Sequence, residues 1–209
     1  MDKRTIRAVG IIVIVAALAA VVATAGLAMI VGSRAAEPLP VFAEVPDFAL
    51  TNQHGETVSR DALRGKVWIA DFIFTRCRAI CPMMTASLAQ VRDELHATPA
   101  WDEVRVVSFS VDPEHDTPEV LREFASRYGA DGDRWLFLTA ERRETIWSLS
   151  RDGFMLRVHE TPDNPAMPIS HSAKFALVDR AGQIRGYYDS NDPEARAALV
   201  RDAQRLADE

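Results

Sequence analysis

The apolar residues divide the chain into an N-terminal apolar segment and a longer region of alternating elements. Residues 8–33 are 26 consecutive positions without a charged side chain, and Lys3, Arg4 and Arg7 precede them. A membrane-spanning helix needs about 20 apolar residues, whereas the apolar part of a cleaved secretory signal is usually about 7–15 residues long. The pattern therefore predicts an uncleaved transmembrane anchor over 8–33, with a signal cleaved near residues 33–35 as the alternative.

The basic cluster before this segment predicts its orientation. Positive charge stays on the cytoplasmic side of a membrane, so residues 1–7 are expected in the cytoplasm. A proline-containing linker is predicted at 34–45, followed by one domain at 46–209. This domain is then expected to face the periplasm or the cell exterior from a single-pass anchor in a bacterial cytoplasmic membrane, where disulfides form and persist.

Strand and helix patterns alternate in the remaining chain. Alternating or continuous apolar runs predict strands at 46–50, 67–74, 104–111, 135–139, 173–179 and 183–188. Helical spacing of apolar residues predicts helices at 82–97, from 118, at 141–150 and from 193. Thr117 and Asp192 each precede a proline, as helix N-caps often do. Parallel crossovers come first and an antiparallel hairpin comes late, which indicates an α/β fold of the thioredoxin type, a mixed sheet flanked by helices.

Charge and cysteine content restrict the function. Residues 37–209 hold 20 Lys and Arg against 29 Asp and Glu, a net charge of −9. An acidic domain argues against a nucleic-acid partner. The domain is large enough to bury a core without disulfides, and the chain has only two cysteines. A chemical role for the cysteines is therefore favoured over a structural one.

The two cysteines, Cys77 and Cys81, lie between the strand predicted at 67–74 and the helix predicted from Pro82. Backbone N–H groups at a helix start, together with nearby arginines, favour the thiolate, which is both a nucleophile and a metal ligand. The pair could exchange between dithiol and disulfide, or it could hold a soft ion such as Cu(I) or Zn²⁺. A static disulfide or two buried thiols with no chemical role is the third interpretation, but a disulfide would close a five-residue loop and add little stability.

A metal site would need a further ligand, and histidine is the obvious candidate. Four histidines are expected in turns, in loops or at a helix end: His54, His96, His115 and His159. His171 ends a long loop just before the strand at 173–179. In a thioredoxin-like sheet this loop packs beside the cysteine turn, so Cys77, Cys81 and His171 form a plausible set of two sulfurs and one nitrogen.

Three motifs resemble those of one family, the SCO/SenC proteins. They are FIFTRCRAICP at 72–82, SVDPEHDTP at 110–118 and ISHSAKFALVDRAG at 169–182. The family consists of membrane-anchored copper-binding proteins that assist assembly of cytochrome c oxidase. The resemblance covers about residues 44–207 in order, and it implies a thioredoxin-like fold.

The resemblance also implies roles for individual residues. Cys77 and Cys81 correspond to the family's copper thiolates and His171 to its copper-binding imidazole, with Cu(I) as the expected ion and Cu(II) as a second oxidation state. The implied partner is the oxidase subunit that holds the dinuclear copper centre, and a second copper chaperone is a candidate donor. A metallochaperone rather than an enzyme is predicted.

Two other functions use the same cysteines. The alternative is a thiol–disulfide reductase that keeps the cysteines of the oxidase reduced, with Cys77 and Cys81 as its redox pair. A peroxide-reducing enzyme is disfavoured, because Thr75 lies two residues before Cys77 rather than three.

The chain departs from the family at two positions and leaves several nearby residues to interpret. Arg78 stands where many members have proline, and Ser170 where many have an aspartate that could orient the neighbouring ligand. The missing carboxylate favours Cu(I) over Cu(II).

Asp112 and Asp116 are predicted to order a turn or cap a helix, with Asp112 facing the metal loop as the alternative. Packing is predicted for Met84, and transient thioether contacts to copper are the weaker interpretation for three methionines: Met83, Met84 and Met167.

Overall fold

A mixed sheet organises the molecule. The computed structural model describes residues 37–77, 80–130, 132–164 and 167–209. The strands within these residues are β1 (Ala43–Glu44), β2 (Ala49–Asn52), β3 (Thr57–Ser59), β4 (Val67–Ile73), β5 (Val104–Ser110), β6 (Trp135–Thr139), β7 (Val158–Glu160), β8 (Ile169–His171), β9 (Lys174–Val178) and β10 (Gln183–Asp189).

Eight of these described strands form one sheet in the order β1-β10-β9-β4-β5-β6-β2-β3. The central strands β4, β5 and β6 run parallel, and the strands on both sides of them are antiparallel to their neighbours. Strands β7 and β8 pair separately as a short antiparallel ribbon. The predicted mixed α/β fold with early parallel crossovers and a late hairpin is confirmed.

The α-helices of the described residues are α1 (Ile80–His96), α2 (Pro118–Ser126), α3 (Arg143–Ser148) and α4 (Pro193–Asp208). The predicted N-caps are present. The Thr117 hydroxyl accepts a hydrogen bond from the Val120 N–H at 3.4 Å, and the Asp192 carboxylate accepts one from the Glu194 N–H at 2.9 Å. These caps satisfy N–H groups that a helix start leaves without partners.

Strand β4 is buried along its whole length because both of its faces are covered. On one face, Val67, Ile69 and Ile73 join a cluster with residues of α1, α2 and α4. On the other, Trp68 and Phe72 pack into a cluster with aromatic residues from distant segments. A strand held on both faces gives a rigid support to whatever follows it, and the cysteine turn follows β4.

Several element boundaries differ from prediction. The strand predicted at 46–50 is β2, which covers Ala49–Asn52. The helix predicted at 141–150 covers only Arg143–Ser148 and continues as a π-helical turn over Leu149–Gly153. The loop predicted at 159–170 contains most of the ribbon formed by β7 and β8. Strands of three residues carry too few positions for an alternating pattern to be recognised.

The N-terminal predictions have separate outcomes. Part of the segment predicted as linker lies on the sheet, since β1 pairs with β10 and Val45 is fully buried. The compact unit that holds the sheet covers Leu39–Glu209. The anchor predicted at 8–33 lies outside the described residues. Among the helices that the structure does describe, none is both long and apolar enough to cross a bilayer.

Candidate metal and thiol site

Both cysteines lie at the C-terminal end of β4, beneath the surface. Cys77 is in the turn after the strand, where its N–H donates to the Phe74 carbonyl at 3.3 Å. Cys81 lies in the first turn of α1, which begins two residues before the predicted start at Pro82. Their exposed fractions are 4% and 0%, and neither cysteine is in a disulfide. The Cys77 side chain lies within hydrogen-bonding reach of the Cys81 thiol.

His171 reaches the same place from the last position of β8. Its Nε2 lies 3.0 Å from the Cys81 Sγ, and its Nδ1 lies 3.0 Å from the Ser172 carbonyl oxygen. A carbonyl only accepts, so Nδ1 carries the proton and the Nε2 lone pair of the neutral ring faces the sulfur. The Phe74 ring packs edge-on against the imidazole at 5.8 Å and restricts its orientation.

The surroundings favour uncharged forms of both groups. The hydrogen bond with Cys77, and then burial, raise the pKa of the Cys81 thiol. Burial lowers the pKa of His171, partly offset by its bond to Ser172. The neutral imidazole is the form that binds metals, whereas the thiols must lose protons to become ligands. Metal binding here is therefore expected to release protons.

The donors meet pairwise, with Cys81 between Cys77 and His171. No group of three or more His, Cys, Asp or Glu side chains in the described ranges forms a ready-made metal cage. The chemistry of the set nevertheless fits a soft ion, since two sulfurs and one imidazole suit Cu(I) far better than they suit Mg²⁺ or Ca²⁺. A small adjustment of the cysteine turn would be needed to direct all three donors at one ion.

Two buried carboxylates hold the cysteine turn in place. Asp112 makes a two-pronged ion pair with Arg76, with Nε to Oδ2 at 2.5 Å and Nη2 to Oδ1 at 3.2 Å. Asp116 accepts from the Thr75 N–H at 3.1 Å, and from the hydroxyls of Thr75 and Ser110 at 2.5 Å each. The prediction that Asp116 orders a turn is confirmed, and that turn is the one before Cys77. The Asp112 side chain faces the cysteine loop through Arg76, which was the alternative interpretation for this residue.

Replacing Asp116 with alanine is expected to destabilise the fold by about 3 kcal/mol, because buried donors on both sides of the turn lose their acceptor. Urea unfolding of the reduced protein measures this loss. Asp61→Ala is the matched control, since Asp61 is an exposed acid paired with Arg64, and exposed pairs contribute about 0–1 kcal/mol. Equal unfolding midpoints for the two variants would contradict a structural role of Asp116.

Comparison with known proteins identifies the family. The sequence model of SCO1/SenC matches residues 37–207. The chain belongs to the SCO1/SenC family. It is 38% identical over 165 residues to the SCO1 protein homolog of Bacillus subtilis, which covers 79% of this chain and 83% of that protein.

Two solved Sco structures are similar to this fold. The first is BsSco, described as a member of the Sco family of cytochrome c oxidase assembly proteins with a disulfide switch. It has a TM-score of 0.72 and 34% identity, covering 82% of this chain and 97% of that one. The second is ScoI of Arabidopsis thaliana with copper bound, which has a TM-score of 0.66 and 25% identity, covering 78% of this chain and 99% of that one.

A third buried acid, Asp71, was missed as a site residue although it interrupts the apolar run of β4. It is fully buried, and neither carboxyl oxygen has a hydrogen-bond partner of good geometry among the described residues. Burial raises the pKa of Asp71 to about 7, against a smaller lowering by the Ser108 hydroxyl. A negative charge on Asp71 in turn raises the pKa of Cys81. The signal for this Sco residue was a lone acid in a buried strand six residues before a cysteine.

The remaining candidates lie apart from the thiols or serve packing. His96 ends α1 with its ring against Trp101 at 5.9 Å. It is exposed, as are His54, His115 and His159. Met84 is fully buried, as predicted from the helical spacing, whereas Met83 is exposed. Ser170 stands where many family members have an aspartate that could orient the histidine. In this chain the Ser172 carbonyl accepts from His171 Nδ1 and orients the ring.

Proposed function

We propose that this Sco protein binds copper as Cu(I) through Cys77, Cys81 and His171 and delivers it to the dinuclear copper centre of cytochrome c oxidase. The observation that carries the proposal is the 3.0 Å approach of Cys81 Sγ to His171 Nε2 across 90 residues of sequence. An unprotonated ring nitrogen facing the Cys81 sulfur, with Cys77 next to Cys81, is a soft ligand set. The copper-bound Arabidopsis relative and the oxidase-assembly description of BsSco support the choice of ion and of pathway.

Copper is the cargo in this proposal, so the site must release it as well as bind it. Three donors leave room for an incoming ligand of the acceptor, and ligands can then exchange one at a time. His171 is the natural point of entry, because it lines a cavity of about 420 Å³ on the protein surface. The two thiols lie behind it, more deeply buried.

Reduction of the acceptor's disulfide is a second candidate function, favoured by the proximity of two cysteines that are not joined in a disulfide. One thiolate would attack the acceptor's disulfide to form a mixed disulfide, and the other thiol would resolve it. Two electrons pass to the acceptor, which leaves as a dithiol, and Cys77 and Cys81 become a disulfide. The disulfide switch described for BsSco supports this alternative.

The proposed location follows from the N-terminal sequence. Residues 8–33 are proposed to anchor the chain in a bacterial cytoplasmic membrane, with residues 1–7 in the cytoplasm and the domain outside. The oxidase copper subunit is then the proposed acceptor at the same membrane, and another copper chaperone the proposed donor.

Copper titration of the reduced and the oxidised protein separates the two functions. The metallochaperone predicts one Cu(I) per reduced chain, loss of binding on oxidation, and transfer to the reduced, metal-free copper domain of the oxidase subunit. The comparison variant carries both Cys77→Ser and Cys81→Ser. If the native protein reduces the disulfide of that domain but binds copper no more tightly than this variant, reduction is the function and the chaperone proposal is wrong.

A further inference from the structure

A groove leads away from His171 along the ribbon and the π-helical turn. Two cavities of about 420 and 210 Å³ share Met155, Arg157 and His159, and His171 lines the larger one. We call this surface the Met155 groove and define it by its functional side chains: Arg151, Met155, Arg157, His159, His171 and Lys174. Any protein that meets His171 from this side must lie in or against the groove.

The groove is basic although the domain is acidic. Arg151, Arg157 and Lys174 line it, and within the described part of the chain no carboxylate lines either cavity. These three cations also form no ion pair with a described acid. Glu160 of the ribbon is paired with Arg143 at 2.6 Å. Asp189 lies opposite Lys174 in the register of β9 and β10, and its carboxylate accepts from the Asn191 N–H at 2.9 Å. Basic side chains that the fold itself does not neutralise remain available for a partner.

An exposed apolar side chain occupies the centre of the groove. Met155 is 57% exposed and has φ of 53°, a left-handed conformation that costs a non-glycine residue about 1–2 kcal/mol. Its neighbours hold it there: the Phe154 N–H donates to Leu149 O at 2.9 Å, and the Leu156 N–H donates to Ser150 O at 2.8 Å. Phe154 and Leu156 are buried, so the backbone is fixed from both sides and the methionine points outward.

We propose that the Met155 groove is the docking surface for an acidic protein that exchanges copper with this chain. Carboxylates of the partner would pair with Arg151, Arg157 and Lys174, and an apolar depression would receive Met155. Arginine and methionine are both enriched at the centres of protein interfaces. The docked partner would place its metal ligands over His171, and in this respect the inference rests on the proposed function.

A protein fits this groove better than an anionic membrane does. Insertion into a bilayer needs an extended apolar surface beside the basic residues. Here one methionine stands beside concave cavities, which offers little area for lipid and a well-shaped recess for a protein side chain.

The test measures association of the metal-free, reduced protein with the soluble copper domain of the oxidase subunit by isothermal titration calorimetry. The charge-reversal variant is Arg157→Glu with Lys174→Glu, and the matched control is Arg122→Glu with Arg201→Glu, on helices α2 and α4. Both pairs are exposed and change the net charge equally. At low salt we expect the first variant to bind on the order of 10- to 100-fold more weakly and the control about as the native protein does.

A second pair of variants tests the apolar anchor. Met155→Leu is expected to keep near-native affinity, whereas Met155→Ser is expected to weaken association about 10-fold, because only serine removes the apolar contact. Equal affinities for the native, charge-reversal and serine proteins would overturn the proposal. The proposal would also be overturned if the charge-reversal variant alone lost binding to vesicles of phosphatidylglycerol and phosphatidylcholine while its binding to the oxidase domain was unchanged.

The copper affinity of each variant separates this inference from the proposed function. Docking is measured without metal, so a protein that docks through the groove but binds no copper would refute the chaperone and leave the docking surface intact. Native copper affinity in the charge-reversal variant, together with weakened docking, is the expected result.

Discussion

Cys81→Ser is expected to abolish stoichiometric Cu(I) binding, and His171→Ala is expected to lower the Cu(I) affinity by on the order of 100-fold or more. Cys81 is the central donor, since it contacts both Cys77 and His171. Without Cys81, the two remaining donors, Cys77 and His171, are no longer connected by a shared neighbour. The loss of His171 leaves two adjacent sulfurs that can still hold a soft ion weakly. Competition titration against a Cu(I) chelator of known affinity measures both effects.

The matched control for the histidine is His159→Ala, which removes an exposed imidazole from the strand paired with β8. Its Cu(I) affinity is expected to equal that of the native protein, because the His159 side chain is exposed whereas the thiols are buried. Circular dichroism would show that each variant remains folded. Native copper stoichiometry and affinity in the His171 variant would remove this histidine from the ligand set.

Asp71→Asn is expected to stabilise the reduced, metal-free protein by about 4 kcal/mol at pH 8 and by almost nothing at pH 4. Burial raises the pKa of Asp71 to about 7 from its ordinary value of 3.8. In the native protein the folded state holds this proton up to a higher pH than the unfolded state does. The stability associated with the protonated carboxyl is therefore complete below about pH 4 and is lost as the pH rises through 7. Each unit of pKa difference corresponds to about 1.4 kcal/mol.

Urea unfolding at several pH values between 4 and 8 measures this difference. Both proteins should carry Cys77→Ser and Cys81→Ser, so that thiol ionisation does not contribute. Asp61→Asn, at an exposed position, is the control and should follow the parent protein at every pH. Parallel stability curves for the Asp71 variant and its parent would show that this carboxyl ionises normally in the fold.

Much of the fold was predictable because its central elements carry strong local patterns. A few neighbouring residues are enough to specify each of these elements. Examples are the apolar run of β4, the helical spacing of Met84 and Leu88, and the two N-capped helices that begin with proline. The position of the cysteines between a strand and a helix followed from the same patterns. The π-helical turn at Leu149–Gly153 and the β7–β8 ribbon did not follow, because their backbones depend on packing against other segments.

The site shows the same division between local and long-range information. Three sequence motifs in order indicated the family and named Cys77, Cys81 and His171 as its ligands. The buried environment of Asp71 is different, since a lone acid in a strand has a raised pKa only when both faces of that strand are covered and nearby donors do not offset the burial. That condition depends on side chains from several helices and strands at once.

The sequence alone determined four features: the alternation of strands and helices, the acidic charge of the domain, the family motifs, and the position of two neighbouring cysteines at a strand end. Each of these is a property of residues close together in the chain. The tertiary structure alone decided that the His171 ring directs its unprotonated nitrogen at Cys81, and that an uncompensated basic groove with an outward methionine opens beside it. Both arrangements join residues from separate segments, and only the pairing of strands and the packing of the ribbon bring them together.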